Sequence, residues 1–280
     1  MVSTADSLIY AIGGGHGHAR RGWLIQRLLA ERGRSAVLLI RPGSDRHLPP
    51  GPGPRLHASG LTAGLLAEFG RRPPARLVVD TFAAGWRGEL DAAWLSRFDR
   101  RLLVARYTGT AVEPPVQYQR VVAPYPADRC EWRGMGPGAA YGGYLIDASH
   151  VRIDHDDHWF AVFDPACRCP PRLRETFARA AARAGLGCRF HDSFARPIRA
   201  RKLLVVGAGY HTFYEAIGRG VDVRFLPVRK RHDDQSRRTA LFGLALESLD
   251  DLPVWLAATA RPVAENTACD AAAWWSLLEA

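Results

Sequence analysis

The stretch Val205-Val206-Gly207-Ala208-Gly209-Tyr210-His211-Thr212-Phe213-Tyr214-Glu215-Ala216-Ile217 decides the fold of this chain. It reads as a buried strand, a glycine turn and the first turns of a helix. Lys202-Leu203-Leu204-Val205-Val206 has strand length and is closed by Gly207. Gly207 and Gly209 allow a sharp turn and a close approach of backbone to a ligand. The helix start at Tyr210, His211 and Thr212 offers unpaired N–H groups and a positive dipole end, which favour an anion such as phosphate. Glu215 lies about one turn further on, on the same side. Diphosphate on the N–H groups and ribose hydroxyls on Glu215 would suit a nucleotide.

The same strand–turn–helix grammar recurs upstream. Leu8–Ile12 reads as a first strand, Gly13-Gly14-Gly15-His16-Gly17-His18 as a turn, and Ala19–Arg32 as a helix with an apolar stripe at Trp23, Leu24, Leu28 and Leu29. Gly33 is its C-cap, and Ala36–Ile40 is the second strand. A strand–helix–strand unit of this length calls for a parallel sheet. A helix over Thr62–Phe69, strands at Leu77–Asp80, Leu102–Ala105 and Gln119–Ala123, and a helix over Gly88–Phe98 complete this half. Residues 130–147 are glycine-rich and irregular.

The second half opens with Trp159–Phe163, followed by a helix over Arg172–Ala184, a short strand Cys188–Phe190, the key stretch, and the strand Val223–Pro227. A helix from Asp234 through Leu246 and a last helix carrying Trp274, Trp275, Leu277 and Leu278 follow. The expected architecture is α/β: two Rossmann-like, doubly wound lobes, 1–147 and 148–280, facing a cleft. Open α/β sheets bind ligands at the carboxyl ends of their strands, so both glycine turns should face that cleft.

Composition bounds the function. Of 280 residues, 47% are hydrophobic and 24% charged, ordinary for a globular protein. No apolar run is long enough for a membrane span, and no signal-peptide pattern is present, which points to the cytoplasm. The net charge is +10, and only two of the 38 basic residues are lysine, an imprint of a GC-rich genome. The excess sits in the first half, where it is compatible with an acidic substrate or peripheral contact with an anionic membrane surface. No basic tract or nucleic-acid motif is present, so nucleic acid is not an expected partner. The five cysteines lack the paired spacing of a zinc site, and read as reduced thiols. Asp154-His155-Asp156-Asp157-His158 reads as a solvated linker before it reads as a metal cluster, and no metal is expected.

The Gly13–His18 turn is neither a dinucleotide fingerprint nor a P-loop, since the third glycine and the Gly-Lys-Ser/Thr are missing. Its Gly14, Gly15 and Gly17 permit close approach to a phosphate or sugar. His18 at the helix start is a candidate general base toward a hydroxyl, or a structural cap; His16 is more ambiguous. Asp80 ends a buried strand, where it can orient His18, accept a substrate proton or serve as a turn residue. Thr212 can bond a phosphate or cap its helix. In Arg229-Lys230-Arg231-His232-Asp233-Asp234-Gln235, Arg231 can meet a diphosphate and Asp234 or Gln235 a sugar; a charged surface loop capped by Asp234 reads equally from the residues.

At these positions the chain resembles the two-lobed (GT-B) nucleotide-sugar glycosyltransferases, especially the peptidoglycan N-acetylglucosaminyltransferases of family 28. That family opens on a Gly-Gly-x-Gly-Gly-His turn with Arg three residues later, similar to Gly13–His18 and Arg21 here. Its second lobe carries a small residue–Gly–x–x–Thr–x–x–Glu turn, a Gly-x-Pro–strand–Pro segment and an acidic–Gln loop. Ala208-Gly209, Thr212 and Glu215, then Gly220 to Pro227, then Asp234-Gln235 resemble these. The resemblance implies a UDP-type donor bound by the second lobe, Glu215 on the ribose, Gln235 near the donor sugar, His18 near the reacting centre, a role for Arg21 in the substrate site, and no obligatory metal or other cofactor. The family's glycine-rich loop after the first strand of the second lobe is replaced here by Phe163-Asp164-Pro165-Ala166-Cys167, where Asp164 would repel a diphosphate. The implied activity is sugar transfer from a nucleotide diphosphate to a small or lipid-linked hydroxyl acceptor. Relatives of the fold that hydrolyse nucleotide sugars, and a non-catalytic binding protein, are the alternatives.

Overall fold

The computed structural model describes residues 5–46, 48–58, 69, 73–106, 117–131, 139–194, 196–230, 233–263 and 265–279. The chain divides into two compact units: 1–107 with 111–145 and 269–280, and 108–110 with 146–268. The last segment, expected in the second lobe, therefore belongs to the first unit.

Unit one is built on a parallel sheet of seven strands: β1 Ser7–Tyr10, β2 Ala36–Ile40, β3 Arg55–His57, β4 Arg76–Asp80, β5 Arg100–Val104, β6 Arg120–Ala123 and β7 Ala140–Tyr141. Their order is β3-β2-β1-β4-β5-β6-β7. β1, β2 and β4 are buried along their whole length, as their continuous apolar sequences require of a sheet covered on both faces. One face packs Ile9, Ala11, Leu38 and Val78 against helix α1, His16–Ala30, through Trp23, Leu24 and Leu28. The other packs Leu8, Tyr10, Leu77 and Val79 against Trp94, Leu95 and Phe98.

The C-terminal helix, Ala271–Glu279, returns to this sheet because Trp274 and Leu278 complete the α1 face. Arg100 donates to the carbonyl of Glu279 at 2.9 Å and Arg120 to that of Leu277 at 3.3 Å, satisfying its last turn with cations.

Unit two holds a four-stranded parallel sheet: β8 Ile153–Phe163, β9 Gly187–His191, β10 Ile198–Val206 and β11 Asp222–Leu226, in the order β11-β10-β8-β9. Helices Pro171–Arg183 and Leu252–Ala257 cover one face through Phe177, Ala181, Trp255 and Leu256. β9 ends at His191 and β10 begins at Ile198, and between them Phe194 stacks on Phe163 at 3.9 Å.

Several expectations are corrected. Asp154–His158 lies inside β8, since Asp154 and His155 pair with Arg199 and Ala200 of β10. Polar side chains there stay at the surface while the backbone joins the ladder, so polarity alone misread it. Among the described residues no three His, Cys, Asp or Glu side chains group as ligands. The helix expected over Gly88–Phe98 is one turn, Ala92–Leu95, started by the Asp91 side chain accepting from the Trp94 N–H. Gly85 and Gly88, both at positive φ, hold the preceding segment as a loop. The helix expected to Leu246 ends at Leu241 because Gly243 takes a positive φ and Ala245 bridges to Phe225. The helix expected over Thr62–Phe69 lies outside the described residues apart from Phe69. No described helix is long and apolar enough to cross a membrane.

Unit two is locked by a buried ion pair. Lys202 Nζ meets Asp222 Oδ2 at 3.1 Å and donates to the Trp255 carbonyl, and Trp255 Nε1 donates to Asp222 Oδ1 at 3.1 Å. Burial pulls the ammonium below its usual range, against the opposing pull of Asp222. Removing one partner leaves the other charge buried and alone. Asp222→Ala should cost about 3–5 kcal/mol in urea unfolding, and Lys202→Met with Asp222→Leu should recover most of it. A single variant as stable as the wild type would show that the pair is solvated.

Candidate active site

β1 and β4 are neighbours, with Tyr10 opposite Val79, and chain order departs from spatial order between them. This is the switch point at which open α/β sheets receive ligands. Beyond β1 the glycine turn leads into α1; beyond β4 stands Asp80. The helix begins at His16, three residues earlier than expected, so Gly17 and His18 lie in its first turn and the turn itself is Gly13–Gly15.

That register drops His18 onto Asp80. His18 Nδ1 is 2.6 Å from Asp80 Oδ2, and both side chains are buried. Arg21, one helical turn after His18, grips the same carboxylate with two bonds, Nε to Oδ1 at 2.6 Å and Nη2 to Oδ2 at 2.8 Å. Burial alone would raise the Asp80 carboxyl, but the Arg21 guanidinium and the His18 contact hold it well below the usual range. Burial lowers the His18 imidazole, Asp80 opposes this, and the cations Arg21 and Arg106 add to the lowering.

Two protonation assignments follow. Asp80 is ionised, so Nδ1 carries a proton and donates to Oδ2. Arg21 Nη2 lies 3.3 Å from the same nitrogen, but a contact of 2.6 Å to a carboxylate outweighs it. His18 is then neutral near pH 7, with the lone pair on Nε2. The ring lies flat against Gly13: a Cβ at that position would fall 2.2 Å from Cδ2 and 2.5 Å from Nε2. Gly13 is therefore glycine for the sake of the imidazole. Space above Gly15 is open.

Arg21, expected to contact substrate, instead holds Asp80 through its fork. Its burial explains the difference, because a buried guanidinium needs a carboxylate partner. Thr81, Phe82 and Trp86 were not singled out from the sequence. Thr81 follows Asp80 with φ of 71°, a strained backbone for a β-branched residue, and its hydroxyl is 3.3 Å from Arg21 Nη2. The turn brings the Phe82 ring to 5.2 Å from that of His18, and Trp86 packs edge-on to Phe82 at 4.9 Å. Their position on the loop directly after a strand that ends in a buried carboxylate was the available signal.

In unit two the corresponding place is the end of β10, beside the end of β8, with Val205 opposite Phe163. Gly207 takes a φ of 87° and turns the chain into helix α4, Tyr210–Ile217, whose N-cap is Gly209. No side chain caps this helix, and nothing stands within 4 Å of a Cβ built on Gly209. Thr212 is half-buried. Tyr210 and His211 are buried, with Tyr210 packed edge-on against Tyr214. Glu215 is buried on α4, and its Oε1 lies 3.7 Å from His150 Nε2.

The residues after β11 hold the turn. Gln235 Oε1 accepts from the N–H of Ala208 at 2.7 Å and of Val228 at 3.0 Å, and Nε2 donates to Asp233 Oδ2. Arg238, buried and unforeseen, bonds the Ala208 carbonyl and Asp233 Oδ1. Asp234 caps its helix by accepting from Arg237 N–H at 3.0 Å. Gln235 and Arg238 thus clamp the Gly207–Gly209 turn, and Asp234 takes the capping position that was one of its two readings. Arg231 lies outside the described residues.

Asp164 keeps the charge that was expected to repel a diphosphate, and the turn around it satisfies that charge. It is buried, and its Oδ2 accepts from Cys169 N–H at 2.7 Å. Burial would raise its carboxyl, but the N–H groups of Arg168, Cys169 and Ala166 hold it below the usual range. The chain's own carboxylate thus fills the amide-lined turn after β8.

No family model matches the sequence, and no curated protein matches it. Solved structures do match. The spinosyn forosaminyltransferase SpnP superposes with a TM-score of 0.60 at 12% identity, over 98% of this chain and 93% of that one. UGT89C1 of Arabidopsis thaliana gives 0.58 at 12% identity, over 98% and 93%. The Streptomyces sp. SF2575 glycosyltransferase SsfS6, complexed with thymidine diphosphate, gives 0.56 at 10% identity, over 90% and 89%. At such identities the likeness is one of architecture, and it spans nearly the whole chain. The chain has the GT-B glycosyltransferase fold.

Proposed function

We propose that this protein transfers a sugar from a nucleotide diphosphate to the hydroxyl of a small or lipid-linked acceptor. The observation that carries the reading is the buried His18–Asp80–Arg21 contact, which prepares a neutral imidazole with a free Nε2 lone pair at a sheet switch point. His18 takes the proton of the acceptor hydroxyl. The acceptor oxygen attacks the anomeric carbon, and the bond to the diphosphate breaks with its electron pair leaving on the phosphate. The carboxylate of Asp80 stabilises the imidazolium that forms, as in other base–carboxylate pairs.

The α4 N–H groups at Tyr210–Thr212, with the exposed Arg229 nearby in sequence, favour the departing diphosphate. Glu215 serves the ribose. The donor base is uridine on the resemblance, while SsfS6 carries thymidine diphosphate, so both belong in the test. The presence of Asp164 in the β8 turn favours a donor held mainly by α4. The same occupied turn supports the second reading, a protein that kept the fold and lost donor binding. Hydrolysis, with water in place of the acceptor, would release free sugar without any acceptor.

Calorimetric titration with UDP, TDP, ADP and GDP should find one diphosphate that binds in the micromolar range and is lost in Glu215→Ala. No binding by any of them would overturn the donor assignment. His18→Ala should lose about 10²–10⁴-fold in turnover while keeping nucleotide affinity. Gly13→Ala should behave alike, since its methyl displaces the ring. Equal loss of both quantities would sink the base assignment. The acid limb of kcat/KM should have its midpoint below the ordinary histidine value of 6.5, because burial, Arg21 and Arg106 together outweigh Asp80. A midpoint above 6.5 would contradict the neutral-imidazole account.

A further inference from the structure

The loop between Asp80 and α2, Ala92–Leu95, is built more firmly than a connection needs. Tyr10, buried at the end of β1, donates to Glu89 Oε1 at 2.5 Å and accepts from the Trp86 N–H at 2.9 Å. Glu89 Oε2 accepts from the Arg87 N–H at 2.7 Å. Tyr118 donates to the Ala83 carbonyl at 2.6 Å, and the Gly85 N–H donates to the Phe82 carbonyl at 2.8 Å. Tyr10 of β1, Tyr118 just before β6 and the Glu89 carboxylate thus fix a surface loop that carries Phe82 and Trp86, both half-exposed.

Trp86 is partly buried against the core of unit one, and Phe82 is half-exposed next to it. His18, Phe82 and Trp86 form a continuous aromatic strip, with ring centres 5.2 and 4.9 Å apart. Its far end overlies the glycine turn: a Cβ on Gly14 would fall 2.9 Å from Trp86 Cη2. The strip therefore begins at the His18 ring and runs along the turn, beside a molecule that presents its hydroxyl to that imidazole.

We propose that Trp86 and Phe82 determine acceptor specificity, and that the acceptor is an aromatic alcohol whose ring lies on them. This rests on the reading of His18 as the base. Flat rings gain edge and face contacts on such a wall that saturated rings of the same size do not. The chemistry agrees. A phenolic hydroxyl ionises near 10, far below water at 15.7, so a weak base can deprotonate it. His18 is such a base, because its burial lowers its proton affinity.

The test compares binding of 2-naphthol with decahydro-2-naphthol to the full chain, alongside nucleoside diphosphate titration of the same samples. The naphthol should bind about two- to tenfold more tightly than its saturated analogue. Trp86→Ala should erase that preference, Trp86→Phe should retain most of it, and Gly14→Ala should weaken naphthol by displacing the indole. Diphosphate affinity should stay at the wild-type value in Trp86→Ala and Trp86→Phe, which also reports that they are folded. Equal binding of the two alcohols, or a preference that survives in Trp86→Ala, would overturn the proposal. Naphthol binding without any diphosphate binding would instead remove the transferase reading and leave the ring site standing.

Discussion

The site in unit one depends on a single buried contact, the carboxylate of Asp80 shared between Arg21 and His18. Three polar side chains are withdrawn from water there, and each would be costly alone. Together they balance: one cation, one anion and a neutral ring. The arrangement divides the work. Arg21 keeps Asp80 ionised, Asp80 fixes the imidazole tautomer, and the tautomer leaves Nε2 as the acceptor of a proton. The adjacency of β1 and β4 makes the contact possible, because it sets the two strand ends side by side. Gly13 makes it tight.

In unit two the glycine turn is held by the chain's own side chains. The peptide of Ala208 is bound on both sides from α5, Gln235–Leu241, through Gln235 on its N–H and Arg238 on its carbonyl. Gly207 supplies the positive φ that this geometry requires. The start of α4 is thereby fixed in direction before any anion arrives. The turn after β8 took another course: its N–H groups are already engaged by Asp164.

Much of this was legible in the sequence, for physical reasons that also mark where it stopped. Apolar runs such as Ala36–Ile40 and Lys202–Val206 announce buried parallel strands, and the glycine turns after them announce strand–turn–helix units. That logic located Asp80 at a strand end and His18 at a helix start. It could not say that Arg21 would turn inward, because direction depends on one turn of helix register. Gln235 and Asp234 read as ligand groups because their chemistry fits sugars; it fits a backbone amide and a helix cap equally well. Thr81, Phe82 and Trp86 were missed because a strained φ leaves no mark in composition. Asp154–His158 was misread because strand pairing is a backbone property and side-chain polarity conceals it. The return of Trp274 to the first sheet is a long-range packing choice that local periodicity does not encode.

The most direct measurement of the central claim is nitrogen-15 NMR of the His18 imidazole across a pH titration. The account predicts a neutral ring at pH 7 with the proton on Nδ1, charging only below 6.5. It also predicts that Asp80→Asn disturbs that tautomer. A ring protonated at both nitrogens near neutrality, or a neutral ring with its proton on Nε2, would contradict it.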